Sequence, residues 1–369
     1  MNFSYWENTS WFSNIDFTII GSGIVGLNCA ISLKETYPKA KVLVLERGIL
    51  PQGASTKNAG FACFGSLSEI LDDLSCMKKI DVVNLVEKRH RGLKLLRKRL
   101  TDKAIAYKDY GGYELFAKND KLFNACYSKL EEVNQLLHPI FKGNVFKVLQ
   151  DKNKFQGINK NVIYNAFEGQ IDTGKMMSAL LKKAHLKGIL VLNNIEVTKF
   201  IEGNDKVYVN TKVFKFSTSK LFIATNGFAS KLINEQVKPA RAQVLITKPI
   251  KNLHIKGAFH LDKGFYYFRN IDNRILLGGG RNLDFEQEET FKFGQTRLVE
   301  HKLKELLKTV ILPNTAHEVD YFWSGIMGVG SSKKVVVKQV SNNVFCGVRL
   351  GGMGVSIGSL IGEELAKFA

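Results

Sequence analysis

The chain has 369 residues, 45% of them hydrophobic, enough to bury a large core and to form about two domains. No apolar run approaches the roughly 20 residues that cross a bilayer. The start Met1–Glu7 lacks the basic and apolar parts of a secretory signal. The five cysteines (Cys29, Cys63, Cys76, Cys126, Cys346) are scattered, without metal-ligand spacing. They read as small buried fillers in a reducing compartment, so no metal is expected and the expected location is cytoplasmic. The formal charge of +19 suits a nucleic acid or an anionic membrane surface as partner, or simply a lysine-covered surface.

In chain order, Phe17–Ile20 reads as a buried parallel strand that enters Gly21-Ser22-Gly23-Ile24-Val25-Gly26 and continues at helical spacing through Leu33. Gly21 makes the tight turn, and Gly23 lets backbone approach a pyrophosphate. Gly26 lets helix and strand pack closely, and the helix N-terminus offers free N–H groups to the anion. A second strand, Lys41–Leu45, ends on Glu46 and Arg47. Glu46 follows Gly26 by about twenty positions, where a carboxylate accepts hydrogen bonds from ribose hydroxyls. Strand, glycine turn, helix, strand and acid together predict a dinucleotide site.

The following loop, Pro51–Phe61, carries small residues, hydroxyls and glycines: Gly53, Ala54, Ser55, Thr56, Lys57, Asn58, Ala59 and Gly60. It is too small-residued for a core helix and too apolar at its end for a solvent loop, which suits a second segment contacting the cofactor. From Val82 to Leu100 the apolar residues fall on one helical face and Lys88–Arg99 carries the charge, predicting a helix with a solvated basic face. Lys206–Asn210 and Lys212–Phe216 alternate as a hairpin. His90, His138, His254 and His260 read as surface or satisfied core residues, and no Ser/His/Asp set stands out.

The Gly53–Gly60 stretch resembles a segment of the D-amino-acid oxidase-like superfamily of flavoproteins, whose members carry Gly-Ala-Ser-x-(Arg/Lys)-Asn-x-Gly after the ribose-binding acid. The resemblance continues in order through Gly111–Leu115, Gln170–Lys175, Ile189–Val197, Leu221–Gly227, Pro239–Gln243, Phe265–Arg269, Arg274–Gly279 and Trp323–Gly328. It ends at the closing Gly351-Gly352-Met353-Gly354-Val355. It implies an α/β architecture: a discontinuous Rossmann-like FAD-binding domain (14–90, 151–236 and 322–369) with an inserted α+β substrate domain (91–150 and 237–321) on a mixed or antiparallel sheet.

The resemblance further implies FAD held without a covalent link by Gly21, Gly23, Ile24, Val25, Gly26, Glu46, Arg47, Ala54, Ser55, Thr56, Asn58, Ala59 and Gly60. Val197 joins them through its backbone, with Gly352, Met353, Gly354 and Val355 over the ring. The implied reaction is oxidation of a C–N bond of an amine or amino acid to an imine, with dioxygen or another acceptor taking the electrons. Tyr266 and Tyr267 are the candidate substrate-lining residues, and strand alternation lets only one face the cavity. Three departures qualify this. Met327 stands where relatives place a carboxylate-binding Arg, which leans toward an amine and leaves Arg349 as a candidate anchor. Leu276 or Leu277 stands where a dioxygen-activating Lys occurs in relatives, which keeps a dehydrogenase open. No cysteine lies near Trp323–Gly330, where some relatives attach flavin. Alternative readings are oxidation of a modified tRNA base and a peripheral membrane dehydrogenase that reduces a quinone, its basic segment lying on anionic lipid.

Overall fold

In the computed structural model, which describes residues 3–369, the run Phe17–Ile20 lies inside the strand Ile15–Ile20. Val42–Leu45 and Lys215–Ile223 pair with it in parallel on either side. Leu190–Leu192 and Val344–Val348 extend this parallel set, and Val336–Ser341 closes one edge antiparallel. Period-two alternation sends Phe17, Ile19, Val42 and Val44 to one face and Ile20, Leu43 and Leu45 to the other. The first face is covered by helices Ile24–Thr36, Lys79–Leu100, Thr173–Leu186 and Gly354–Ala366. The second packs against the antiparallel Val197–Glu202 and Val207–Thr211, the latter forming the expected hairpin with Lys215–Ile223.

The basic helix departs from expectation on its charged side. Val82, Leu85, Val86, Leu93, Leu96 and Leu100 are buried as the periodicity requires. Arg89, however, is also buried and donates to the Phe64 carbonyl at 2.8 Å. Arg99 donates to Asn28 Oδ1 at 2.7 Å and Ser32 Oγ at 3.1 Å, and pairs with Glu35. With its apolar stripe in the core, this helix has no apolar face to lay on lipid. Among the described residues no helix is long and apolar enough to cross a membrane. Four of the five cysteines are buried as expected, but Cys76 is exposed.

A second eight-stranded sheet runs in the order Val319–Val329, Lys238–Thr247, Arg274–Gly279, Tyr266–Ile271, Ala258–Leu261, Gly112–Leu115, Asn161–Asn165, Phe146–Gln150. It is mixed: Ala258–Leu261 pairs in parallel with Gly112–Leu115, and every other neighbour is antiparallel. Two strands of this sheet come from segments that the sequence division placed in the first unit. Asn161–Asn165 and Val319–Val329 both pair in this sheet, although 151–236 and 322–369 were assigned to the first unit. Pairing partners decide sheet membership, and a local pattern does not name them.

One buried ion pair ties this sheet to the segment beyond it. Arg241, 8% exposed, donates from Nε and Nη2 to the two oxygens of Glu288, itself 1% exposed, at 2.8 and 2.9 Å. Gln243 and Thr296 complete the carboxylate's shell. Removing one member leaves a buried charge unpaired, so Glu288→Ala is expected to cost about 3–5 kcal/mol in urea unfolding.

Candidate active site

The first strand delivers the chain into a turn that only glycine can make. Gly21 sits at φ +101°, and a Cβ on Gly26 would lie 1.9 Å from the Gly21 carbonyl oxygen. Helix Ile24–Thr36 therefore begins hard against the strand end. The Ile24 N–H is taken by Ser55 Oγ at 2.9 Å, while the amides of Val25 and Gly26 have no acceptor among the described residues. Glu46, 6% exposed, accepts from Ser22 N and Oγ at 3.2 and 2.8 Å and from Gly48 N at 3.0 Å. That fixes a carboxylate beside the turn.

The 54–60 loop is held by its own Asn58 and by a residue from the other sheet. Asn58 donates to the Ala54 and Ser55 carbonyls and accepts from Gly60 N and Thr173 Oγ1. Arg269, on Tyr266–Ile271, donates to the carbonyls of Ala59 and, at 3.0 Å, Ile171. Burial pushes this guanidinium down to about 10.

Between the two sheets lies a cavity of about 590 Å³. The N-termini of helices Ile24–Thr36 and Gly354–Ala366 both open onto it, the second through the turn Gly351–Met353. A pair of helix N-termini with glycine-lined approaches is suited to a diphosphate, since free N–H groups and the helix dipoles favour an anion. The opposite wall comes from the second sheet: Ala242, Val244, Tyr267, Gly325 and Met327. These residues fit a dinucleotide whose reactive end meets a largely apolar chamber.

Of the residues singled out from sequence, Gly23, Ile24, Val25, Ala54, Ser55, Asn58, Ala59, Gly60, Tyr267, Gly352, Met353, Gly354 and Val355 line this cavity. Gly21, Gly26 and Glu46 stand behind the turn and shape it. Arg47 stacks on the Phe228 ring at 3.7 Å, Thr56 is exposed, and the Val197 side chain packs in the core. Two further candidates lie outside the cavity lining. Tyr266, 6% exposed, packs in the core behind the sheet, so alternation gives the cavity to Tyr267. Arg349 does not reach the cavity: its Nε donates to the Lys334 carbonyl at 2.9 Å and Nη1 to that of Gln236 at 3.3 Å. It pins the loop before Val336–Ser341 instead of anchoring substrate.

Tyr267 lies edge-on to Phe61, with ring centroids 5.4 Å apart, and burial pushes its phenol up to about 12. It therefore stays a hydrogen-bond donor. Sequence reasoning missed several cavity residues. Arg281 follows the glycines that end Arg274–Gly279, and among the described residues no carboxylate lies within ion-pair distance of it. Its place directly after a glycine run at a strand end was the available signal. Phe61, Cys63 and His260 also line the cavity. His260 had been set aside as a core or surface histidine, because nothing local in the sequence marks the pairing that brings it here.

Residues 16–368 match the family model described as FAD dependent oxidoreductase (DAO). The chain is 22% identical over 373 residues to "Probable oxidoreductase OrdL" of Haemophilus influenzae, covering 95% of this chain and 82% of that protein. Its fold is that of glycine oxidase from Bacillus cereus (TM-score 0.77, 17% identity, 96% of this chain and 97% of the other). It also matches the fold of L-proline dehydrogenase from P. horikoshii (TM-score 0.74, 18% identity, 96% and 92%).

Two outcomes follow from the placements. Tyr267→Phe lowers kcat/KM by roughly tenfold, one hydrogen bond of about 1.4 kcal/mol, while Tyr266→Phe leaves it unchanged in steady-state kinetics. Arg349→Ala costs about 1 kcal/mol of stability, read by thermal unfolding, and leaves KM for carboxylate-bearing substrates unaltered.

Proposed function

The chain belongs to the FAD dependent oxidoreductase family, with FAD as its cofactor, and on that premise we propose that it oxidises the C–N bond of a small-molecule amine or amino acid to an imine. Water then hydrolyses the imine to a carbonyl compound and the freed amine. When bound, FAD supplies the two-electron sink that takes up hydride from the substrate carbon. The protein's part is to hold and orient. The helix starts at Ile24 and Gly354 would hold the diphosphate, Glu46 the ribose, and the turn Gly351–Met353 the ring end.

The observation that carries this reading is that Tyr267 and Met327 line one cavity together with that closing turn. A small substrate there meets a largely apolar wall, where polar contacts are stronger than in water. Met327 presents a thioether where a guanidinium would clamp a carboxylate, which leaves the chamber open to amines as well as amino acids. Two further details support the finer points. Cys63 is the cysteine that lines the cavity, and burial raises its thiol well above the usual range, so it stays protonated and unreactive. That favours FAD held without a covalent bond. Leu276, 5% exposed, packs against Ala59 and Val244. No cation stands at that position to help dioxygen, which favours transfer of electrons to another acceptor.

The test is anaerobic. The purified protein, with its bound flavin recorded in the visible spectrum, is mixed with glycine, L-proline, N-methyl and D-amino acids, and polyamines with their acylated forms. Bleaching by one class is expected, and slow recovery of colour on admitting air is expected of a dehydrogenase. Bound flavin that no member bleaches overturns the small-molecule reading.

A further inference from the structure

Beneath the cavity lies a cluster of buried titratable groups that neither the cofactor cradle nor Tyr267 explains. Cys63 Sγ, a Glu168 carboxylate oxygen and a His260 ring nitrogen lie within 4.8 Å of one another, all buried. His260, 5% exposed, sits on Ala258–Leu261 and lines the cavity directly. Its Nε2 is fully buried, 3.3 Å from Glu168 Oε2, within ion-pair distance though without the alignment of a formed hydrogen bond. Its other ring nitrogen, Nδ1, makes no hydrogen bond among the described residues, and the imidazole is part of the cavity lining. Glu168, 1% exposed, is itself anchored, because its Oε1 accepts from Phe64 N at 3.2 Å.

We propose that His260 is the group that takes a proton from the substrate's ammonium, and that Glu168 is the positioning residue that orients the imidazole and stabilises its charged form. The inference rests on the proposed amine or amino-acid oxidation. An amine carries its proton at neutral pH and must lose it before the carbon can release hydride, because the nitrogen lone pair has to support the developing C=N bond. In the step, one substrate N–H bond breaks, its electron pair stays on nitrogen, and the proton passes to His260. An imidazolium then faces the Glu168 carboxylate, and no electrons are transferred.

The surroundings determine when His260 can accept. Across the strand pairing it stands opposite Glu114 on one side and Tyr267 on the other. Glu69 approaches from the helix Leu67–Cys76, Cys63 and Phe61 from the segment after the 54–60 loop, and Arg89 from the basic helix through Phe64. Burial disfavours the imidazolium, but Glu168, with Glu69 and Glu114 behind it, more than offsets this and raises His260 above its ordinary 6.5. Because the pKa is raised, the neutral, accepting form predominates only on the alkaline side of 6.5. The rate should therefore climb there and fall as pH drops through that range. A base that titrates near the working pH is the efficient case.

The experiment follows anaerobic flavin bleaching by stopped flow, at saturating concentration of whichever of glycine, L-proline, N-methylglycine or putrescine bleaches the wild-type protein, from pH 5 to 10. Wild type should show one rising ionisation above 6.5. His260→Asn should keep its flavin spectrum, lose about 10²–10⁴-fold in bleaching rate and lose that ionisation. Glu168→Gln should move the ionisation to lower pH, because the carboxylate that raised it is gone, which a merely structural role would not do. A His260→Asn protein that keeps the wild-type rate and profile overturns the proposal. Should that variant fail to bind flavin, an unshifted profile in Glu168→Gln overturns it instead. If no panel member bleaches the wild-type protein, the functional reading fails first and this inference with it.

Discussion

The Arg269 guanidinium, 2% exposed, is held by backbone carbonyls alone: those of Ala59, Ile171 and Asn270. A buried charge without a carboxylate partner is costly unless its hydrogen bonds are met. Here those bonds are what join the two halves of the molecule. Arg269 stands on the same strand as Tyr267, while Ala59 ends the loop that begins beside the helix start at Ile24. Through this side chain, with Trp323 Nε1 on the Lys57 carbonyl, the wall that would carry substrate is tied to the cradle that would carry cofactor. Binding surfaces on separate sheets would otherwise drift, and displacements of about an ångström already cost large factors in rate.

Around that joint the site divides its labour by polarity. The cofactor side is backbone: amides at two helix starts, glycines where side chains would collide, and Ser55 filling the first position of the helix. The substrate side is mostly side chain and largely apolar, with Phe61, Val244, Tyr267 and Met327 in its wall. An anion meets fixed dipoles that need no rearrangement, while a small organic molecule meets shape. Arg281 is one of several charged residues in the lining, with Lys263 and Lys333, and its guanidinium lies over the Phe285 ring at 4.8 Å. A cation stacked on an aromatic face and free of a carboxylate keeps its hydrogen-bonding capacity for whatever enters.

What was legible in the sequence follows the range of the physics. The turn Gly21–Gly26 and the acid at Glu46 were readable because strand, glycine spacing and helix all act within about thirty residues of chain. The 54–60 loop was readable because small residues in sequence report close approach of a ligand. Tyr266 against Tyr267 was undecidable, since alternation fixes that they differ and only the packing of Tyr266 into the core says how. Arg349 was misread because a cation beside closing glycines suggests a ligand, and only the fold brings the carbonyls of Lys334 and Gln236 to it. Sheet membership is hidden for the same reason: Val319–Val329 pairs along its length with Lys238–Thr247, a partner about eighty residues away.

His260 and Glu168 are the extreme case, nearly a hundred residues apart in sequence and brought together because Gly112–Leu115 pairs with Ala258–Leu261 on one side and with Asn161–Asn165, just before Glu168, on the other. The ground beneath the cavity is unusually charged for a protein interior: Glu114, pushed up to about 7 by burial, Glu168, His260, Arg89 and Asp73. Apolar residues of the same volume would pack there at lower cost. The groups are chained as well as buried. Arg89 holds the Phe64 carbonyl, the Phe64 amide holds Glu168, and Glu168 faces the imidazole. A structural polar network needs only internal satisfaction, yet this one ends on an imidazole that forms part of the cavity lining. A network that is costly to bury and left open at one end is best understood by what it offers at that end, a site for a proton.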